Sequence, residues 1–242
     1  MSALQLRNPH AILAALRARP RDVSEVQIGR GQASDAWEEV AEVAAACGVT
    51  VRQALPANNR ARPSRDGGRT GGNVAHVRPR DGLSLDNLYR PDVKRGIWLA
   101  LDCIQDPHNV GAIFRTAGFF GVQGIVLTED RSAPLSAVAY DVASGGVETV
   151  PFSMQTNLSR CIETAKKHDM WVLGSSEHAA DDVANIDRDR RWLLVVGNEE
   201  KGLRRLTAEK CDMMCTIPCL GEITSLNVSV ATGIMLSHLA RP

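Results

Sequence analysis

Several broad classes are excluded by what this chain lacks. Its 242 residues carry no net charge, with 28 Lys and Arg against 28 Asp and Glu. That balance argues against a general polyanion binder, but local patches matter more than the total. No run of 18 or more apolar residues occurs, which excludes a membrane-spanning helix. There is no secretory apolar core near the start, so the expected compartment is the cytoplasm. The six cysteines, at 47, 103, 161, 211, 215 and 219, form no Cys-x-x-Cys pair. The last three are four residues apart, but along a strand that step carries side chains too far apart to share one ion. Buried, reduced thiols are expected instead. The six histidines form no ligand-spaced pair, so no metal site is expected. No Gly-x-Gly-x-x-Gly follows Leu101, which argues against a dinucleotide-dependent oxidoreductase. No internal repeat is present.

Residues 1–53 read as helix, strand, helix, strand. Asn8-Pro9 is a helix start, with Asn as N-cap and Pro in the first turn. The first 21 residues hold Arg7, Arg17, Arg19 and Arg21 and no acid, as an organellar leader would. The capping signal favours an ordinary first helix, His10 to Arg19. Ser34 is placed to cap a second helix, whose apolar positions Trp37, Val40, Val43, Ala44 and Cys47 fall three and four apart. Gly48 stops it and Val49 begins a strand.

Composition changes at Pro56. From Arg52 to Arg80 there are seven arginines, no lysine, and Asp66 as the single acid. Gly67-Gly68 and Gly71-Gly72 break regular structure. One reading is a basic loop that grips nucleic-acid phosphates through Arg60, Arg62, Arg65 and Arg69; the plain one is a solvated surface loop. Asn73 to Val77 is a candidate closing strand. The expected division is a small α/β unit at 1–78 with an Arg/Gly-rich loop at 55–72, a polar linker at 79–95, and a second domain at 96–242.

From Gly96 apolar strands alternate with helices. Strand-like runs are Ile97–Leu101, Gly124–Leu127, Trp171–Leu173, Trp192–Val196 and Met213–Ile217; helix-like runs lie near 109–120, 135–143, 157–168, 203–210 and 228–240. This pattern predicts an α/β domain with a mostly parallel sheet covered on both faces. Trp98, Trp171 and Trp192 are expected to pack in or beside strands rather than to serve as stacking platforms.

Three polar loops follow strands and open helix-like runs, the place where open α/β sheets bind ligands. The first is Asp106-Pro107-His108-Asn109-Val110-Gly111-Ala112-Ile113-Phe114-Arg115, where Asp106 and Pro107 start a helix. Arg115 interrupts its apolar stretch, and Gly111, four residues earlier, is expected to leave space beside the guanidinium. His108 is expected on the surface. The second is Gly197-Asn198-Glu199-Glu200-Lys201-Gly202: Gly197 permits close backbone approach, and Glu199 is expected at a helix start. The third runs from Ile217-Pro218 through Gly221 to Ser225-Leu226-Asn227-Val228-Ser229-Val230-Ala231, with Ser225 or Asn227 as cap.

In this order and spacing, the three segments resemble the SpoU/TrmH family of RNA ribose 2′-O-methyltransferases, part of the SPOUT class, and most of all its branch acting on 23S ribosomal RNA guanosine. The resemblance implies a C-terminal SPOUT domain with a deep trefoil knot, preceded by a small ribosomal-protein-like RNA-binding domain. It implies S-adenosylmethionine as methyl donor and no metal, since methyl transfer from a sulfonium is an in-line displacement served by positioning and charge. Residues matching Gly197, Asn198, Ile217, Leu226 and Ser225 hold the donor; Arg115, Asn109, Glu199, Ser225 and Asn227 match catalytic positions. The family proposal that arginine activates the 2′-hydroxyl meets a physical objection. Guanidinium stays protonated, so Arg115 is better suited to clamp phosphate and stabilise a developing alkoxide. The resemblance further implies a homodimer acting on structured RNA, 23S rRNA first and transfer RNA second. Some members carry His-Gln-Gly before the last strand of the small domain; here Thr70-Gly71-Gly72-Asn73 stands there, which leaves the RNA target open. The reading from another class is a non-catalytic RNA-binding protein of the same fold.

Overall fold

The computed structural model describes residues 3–29, 34–54, 72–90 and 92–241. The N-terminal part is a four-stranded sheet. It consists of β1 (Leu4–Leu6), β2 (Val23–Gly29), β3 (Thr50–Ala54) and β4 (Val74–Val77), with helices α1 (Pro9–Ala18) and α2 (Asp35–Ala46). The spatial order is β1-β4-β2-β3. β2 and β3 run parallel, while β4 lies antiparallel to β1 and β2. Asn8 caps α1 by accepting from the His10 N–H, with Pro9 in the first turn. Ser34 stands at the N-cap of α2, but its side chain makes no capping bond. The face of α2 buries Trp37, Val40 and Ala44; Cys47, expected with them, is exposed because it lies past the last helical turn. The short strand β1 was not foreseen.

The second part begins after α3 (Leu85–Leu88) and alternates β5 (Gly96–Leu101), α4 (Pro107–Phe119), β6 (Gly124–Thr128), α5 (Ala137–Ala143), α6 (Gly146–Thr149), β7 (Phe152–Gln155), α7 (Leu158–Lys167) and β8 (Trp171–Ser175). It continues with β9 (Asp181–Asp182), β10 (Arg191–Val196), α8 (Arg205–Ala208), β11 (Met213–Thr216) and α9 (Val228–Leu239). The strands form one sheet in the order β7-β6-β5-β10-β8-β11-β9, and every pairing is parallel. Parallel register brings the carboxyl ends of β5, β8, β10 and β11 to one edge, where the loops carrying the polar segments emerge.

Both faces of this sheet are buried, which is why its strands read as continuous apolar runs. Leu99, Leu101, Ile125, Leu127, Leu194 and Val196 point to one core, shared with α4, α5, α6 and α9. The alternating residues Trp98, Ala100, Val126, Leu193 and Val195 point to the other, covered by α7 and by Leu88 and Tyr89. Trp98 and Trp192 are buried, whereas Trp171, at the start of β8, is 44% exposed beneath the Arg190 guanidinium, 4.2 Å from the ring centre.

Residues 79–90 of the polar stretch lie along the second sheet. Leu88 and Tyr89 are fully buried, the Trp98 indole N–H donates to the Leu88 carbonyl at 2.8 Å, and Leu83 N–H donates to Phe152 O at 2.7 Å. Arg80 donates to the carbonyls of Val147, Glu148 and Val150, satisfying the end of α6.

The first core is continuous from Leu6, Ile12 and Leu16 to Ala139, Tyr140 and Val147, so the N-terminal part packs directly on α5 and α6. A two-pronged ion pair ties them: Arg19 reaches the two carboxylate oxygens of Glu148 at 2.8 and 2.6 Å. Burial works against the Arg19 charge, but the hydrogen bonds and charge of Glu148, together with the hydrogen bond to Asp22, jointly outweigh that and hold the pKa above its ordinary value.

Candidate functional site

The first polar segment forms the start of α4. Asp106 accepts from the His108 N–H at 2.8 Å and Pro107 fills the first turn, so the helix begins where its sequence signals it. His108 is exposed, while Asn109 is only 7% exposed. Gly111 does something other than open space for Arg115. A Cβ there would lie 2.6 Å from the Ala139 carbonyl and 2.7 Å from Val142 Cβ, so the glycine lets α5 press against α4.

The second segment is a tight reversal rather than a helix start. Asn198 and Gly202 exchange backbone hydrogen bonds at 3.0 and 2.9 Å. Gly202 adopts a left-handed φ of +64°, and a Cβ on Gly197 would sit 2.3 Å from the Gly202 carbonyl carbon. The Asn198 side-chain oxygen accepts from the Glu200 and Lys201 N–H groups. This local bonding competes with helix formation, and α8 begins only at Arg205. Glu199 thus occupies a turn, not the helix N-terminus expected for it. Below, the buried carboxylate of Asp102 braces the loop by accepting from the Arg204 N–H at 3.1 Å and Nε at 2.6 Å. Sequence reasoning passed over Asp102, although an acid closing an apolar strand was the available signal.

The third segment, residues 217–227, is irregular and largely exposed until Asn227 caps α9. The Asn227 side-chain oxygen accepts from Ser229 N–H at 2.9 Å and Val230 N–H at 3.4 Å. Ser225 makes no cap.

A directed hydrogen-bond chain joins all three segments. Asn227 Nδ2 donates to Asn109 Oδ1 at 3.0 Å; Asn109 Nδ2 donates to Glu199 Oε1 at 2.8 Å; Asn198 Nδ2 donates to Glu199 Oε2 at 3.2 Å and to Cys103 O at 3.0 Å. The chemistry determines its direction. A carboxylate only accepts, so Asn109 must present its amide nitrogen to Glu199 and its oxygen to Asn227. Asn227 must then donate there, which leaves its oxygen for the orphan N–H groups of α9. The helix start, two amides and one carboxylate hold one another in register.

Beside this chain lies an open cleft of about 470 Å³. Its walls include Gly197 to Leu203, Ile217, Ser225 and Leu226, so the expected cofactor residues Gly197, Asn198, Ile217, Leu226 and Ser225 all line one space. Glu199 lines it as well. The last residue of β8 and the loop after it, Ser175 to His178, complete the wall and were not foreseen, because nothing in their composition separates them from an ordinary turn.

Arg115 stands apart from the cleft lining. It is exposed on α4, and its Nη1 donates to Ser144 Oγ at 3.4 Å. Among the described residues no carboxylate lies within ion-pair distance of it, so the guanidinium charge is available to a ligand. Arg60, Arg62, Arg65 and Arg69 lie outside the described residues.

The cysteines divide by environment. Cys103, Cys161 and Cys215 are buried and Cys211 is half-buried, whereas Cys47 and Cys219 are exposed and depart from the buried thiols expected. Burial raises the Cys161 and Cys211 thiols to about 11 and Cys215 to about 12. Among the described residues no group of three or more His, Cys, Asp or Glu could hold a metal ion, and no helix is long and apolar enough to cross a membrane.

The sequence pattern of the SpoU rRNA Methylase family matches residues 96–237. Over 233 residues the chain is 36% identical to a 23S rRNA (guanosine-2′-O-)-methyltransferase of Nitrosomonas europaea, covering 96% of this chain and 89% of that one. It is also 36% identical over 218 residues to a putative TrmH family tRNA/rRNA methyltransferase of Bacillus subtilis, covering 88% and 84%. In fold it is similar to the SpoU methyltransferase AviRb of Streptomyces viridochromogenes crystallised with AdoMet, at a TM-score of 0.80 and 19% identity over 99% of this chain and 90% of that one.

Proposed function

The chain belongs to the SpoU rRNA Methylase family, and we propose that it transfers a methyl group from S-adenosylmethionine to the ribose 2′-hydroxyl of a guanosine in 23S ribosomal RNA. The observation that carries this reading is the Asn227–Asn109–Glu199 chain, which ties the three polar segments together beside a cleft lined by the second and third of them. The 23S target follows the activity of the Nitrosomonas relative; the tRNA/rRNA relative of Bacillus subtilis keeps transfer RNA as the second target.

The cleft suits the donor. Backbone groups of the Asn198–Gly202 reversal and the apolar side chains of Val196, Leu203, Ile217 and Leu226 stand beside polar Ser225 and Thr224. A nucleoside with an amino-acid tail needs this mixture of apolar wall and a few polar groups. When bound, S-adenosylmethionine supplies an electrophilic methyl on a sulfonium. The protein's share is positioning and charge. The Gly197 turn brings backbone close to the ligand. Glu199, held by Asn109 and Asn198, places one negative charge at the cleft. Arg115, free of carboxylate partners among the described residues, clamps the ribose phosphate and stabilises the alkoxide developing at the 2′-oxygen. Its guanidinium keeps its own proton, so the 2′-hydroxyl proton leaves to another acceptor.

The same reading assigns residues 1–78 as an RNA-binding domain, 79–95 as its connection and 96–242 as the catalytic domain. Arg60, Arg62, Arg65 and Arg69 contact RNA phosphates. The C-terminal segment threads a loop as a trefoil knot, in keeping with the family resemblance. The active form is a cytoplasmic homodimer, in keeping with the family resemblance; Leu220 and Ile223, 99% and 83% exposed on the same loop, are in keeping with a partner covering that loop.

The test is tritium transfer from labelled S-adenosylmethionine to unmodified ribosomal and transfer RNA transcripts, with Arg115→Ala alongside. Ribose label on 23S rRNA, lost in the variant, is expected. Label on transfer RNA alone replaces the target and keeps the chemistry. Absence of donor binding overturns the reading in favour of a non-catalytic RNA-binding protein.

A further inference from the structure

The Arg115 guanidinium meets a turn that also anchors the N-terminal part. Ser144 closes α5 in the left-handed region at φ 49°, a conformation that disfavours residues bearing a Cβ. Glycine would sit there at ease, and Gly145 follows directly at φ +101°. A serine held against that preference points to use of its hydroxyl. The hydroxyl is saturated. It accepts from Asn8 Nδ2 at 2.9 Å and from Arg115 Nη1 at 3.4 Å, and its own hydrogen is directed at Asp141 O at 3.5 Å. One donor and two acceptor sites are the full capacity of a hydroxyl.

Asn8 is fixed from its other side. Its Nδ2 also donates to Asp141 O at 2.6 Å, and the backbone N–H groups of Arg7 and Asn8 donate to the Asp141 carboxylate at 2.9 to 3.1 Å. Its Oδ1 caps α1. A Cβ on Gly145 would approach Ala14 Cβ to 2.9 Å, so α1 sits tightly on this turn. The start of α1, the end of α5 and the Arg115 side chain therefore share one oxygen atom.

We propose that Ser144 and Asn8 are positioning residues for Arg115, through which the seating of the N-terminal part on the catalytic sheet determines where the guanidinium points. This rests on the role given to Arg115 above. A long arginine side chain on an exposed helix face loses rotamer freedom when it must hold one geometry. The shared hydroxyl removes part of that freedom before substrate arrives, which favours the transition state rather than ground-state binding. RNA gripped by the N-terminal part would act on the same oxygen through Asn8.

The experiment uses the full chain and two readouts. The first is 15N relaxation at Arg115 Nε, which needs no activity. The wild type is expected to show an ordered side chain, and Ser144→Gly a mobile one. Ser144→Gly relieves the left-handed strain, so it folds while lacking the hydroxyl. Ser144→Asn, tolerated in that conformation and carrying a side-chain oxygen, is expected to restore order. Asn8→Ser keeps a capping oxygen but replaces the Nδ2 donor with a shorter hydroxyl committed to the cap, and is expected to loosen Arg115 as well. The second readout is methyl transfer to unmodified 23S rRNA transcript. Loss of one hydrogen bond of ordinary net worth lowers kcat by about fivefold in Ser144→Gly. KM for S-adenosylmethionine should stay unchanged, and no further loss should appear in an Arg115→Ala background. Unaltered Arg115 relaxation in both Ser144→Gly and Asn8→Ser overturns the proposal, as does an additive loss on Arg115→Ala. Wild-type kcat in Arg115→Ala overturns the arginine's role and this inference with it. A wild type inactive on every RNA overturns the function alone, because the relaxation result still decides the positioning.

Discussion

Replacing Asn109 by aspartate inverts one donor in the chain that joins the three polar segments, while leaving side-chain shape nearly unchanged. In the native arrangement Asn109 Nδ2 lies 2.8 Å from Glu199 Oε1, and Asn109 is 7% exposed. The Asn109→Asp side chain would set a second carboxylate oxygen where the amide nitrogen stands. Two like charges about 4 Å apart at an effective dielectric of 20 repel by ~4 kcal/mol. The full cost is not realised, because Glu199 is exposed and can turn towards water. The lost charge-assisted hydrogen bond alone is worth about 1.5–3 kcal/mol. Donor affinity should therefore fall by roughly 10- to 100-fold, with a smaller loss of global stability. Asn109→Ala removes the same bond without adding charge and leaves two exposed partners that water can satisfy. It should lose less donor affinity than Asn109→Asp at pH 8. The two variants should converge as pH falls, since the crowded pair in Asn109→Asp takes up a proton that reconnects it. Isothermal titration of S-adenosylmethionine across pH 5–8, with denaturant melts of each variant, measures both quantities. Equal donor affinity of Asn109→Asp and wild type at pH 8 would refute the account.

Three further outcomes follow from the geometry. Gly197→Ala drives a Cβ to 2.3–2.5 Å from Gly202 backbone atoms, so the reversal must open and donor binding should weaken by more than about tenfold at little cost to the sheet, checked by titration and far-UV dichroism. The buried thiols predict an alkaline limit: the unfolded chain releases their protons from about pH 8.5, the folded one only near 11 to 12, so rising pH through that window favours unfolding. Below it, iodoacetamide should modify Cys47 and Cys219 and spare Cys161 and Cys215, as read by peptide mass spectrometry; rapid labelling of Cys215 in the folded chain would contradict the burial.

Local physics was legible along the chain. The caps at Asn8-Pro9 and Asp106-Pro107, and the start of the last helix at Asn227, stand where the sequence signals them, because each is decided within one turn of backbone. The runs ending at Leu101, Val196 and Ile217 announced buried parallel strands, the last of them ending at Thr216, since both faces must be apolar when helices cover both sides. The short strand Phe152–Gln155 escaped notice: four residues carry too little periodicity to separate strand from loop. Leu88 and Tyr89 escaped for the opposite reason, being two buried side chains in a polar stretch whose packing partner, Trp98, lies in the next strand. The turn at Asn198 overrode the helix expected at Glu199 through bonds of its own side chain.

By itself the sequence determined most of the longer strands and helices, the capped helix starts at Asn8, Asp106 and Asn227, and which three loops carry polar groups. Those features depend on neighbours within a few residues. Strand order decided everything that those loops do together. Inserting β10 between β5 and β8 places Glu199 beside Asn109, ninety residues earlier, and the return of the chain into α9 places Asn227 beside both. The oxygen of Ser144 joins Asn8 to Arg115 by the same route, through packing of α1 on the turn after α5. No periodicity encodes such meetings, because they are set by the packing of whole elements, and the 2.8 Å hydrogen bond between Asn109 and Glu199 exists only once that packing is complete.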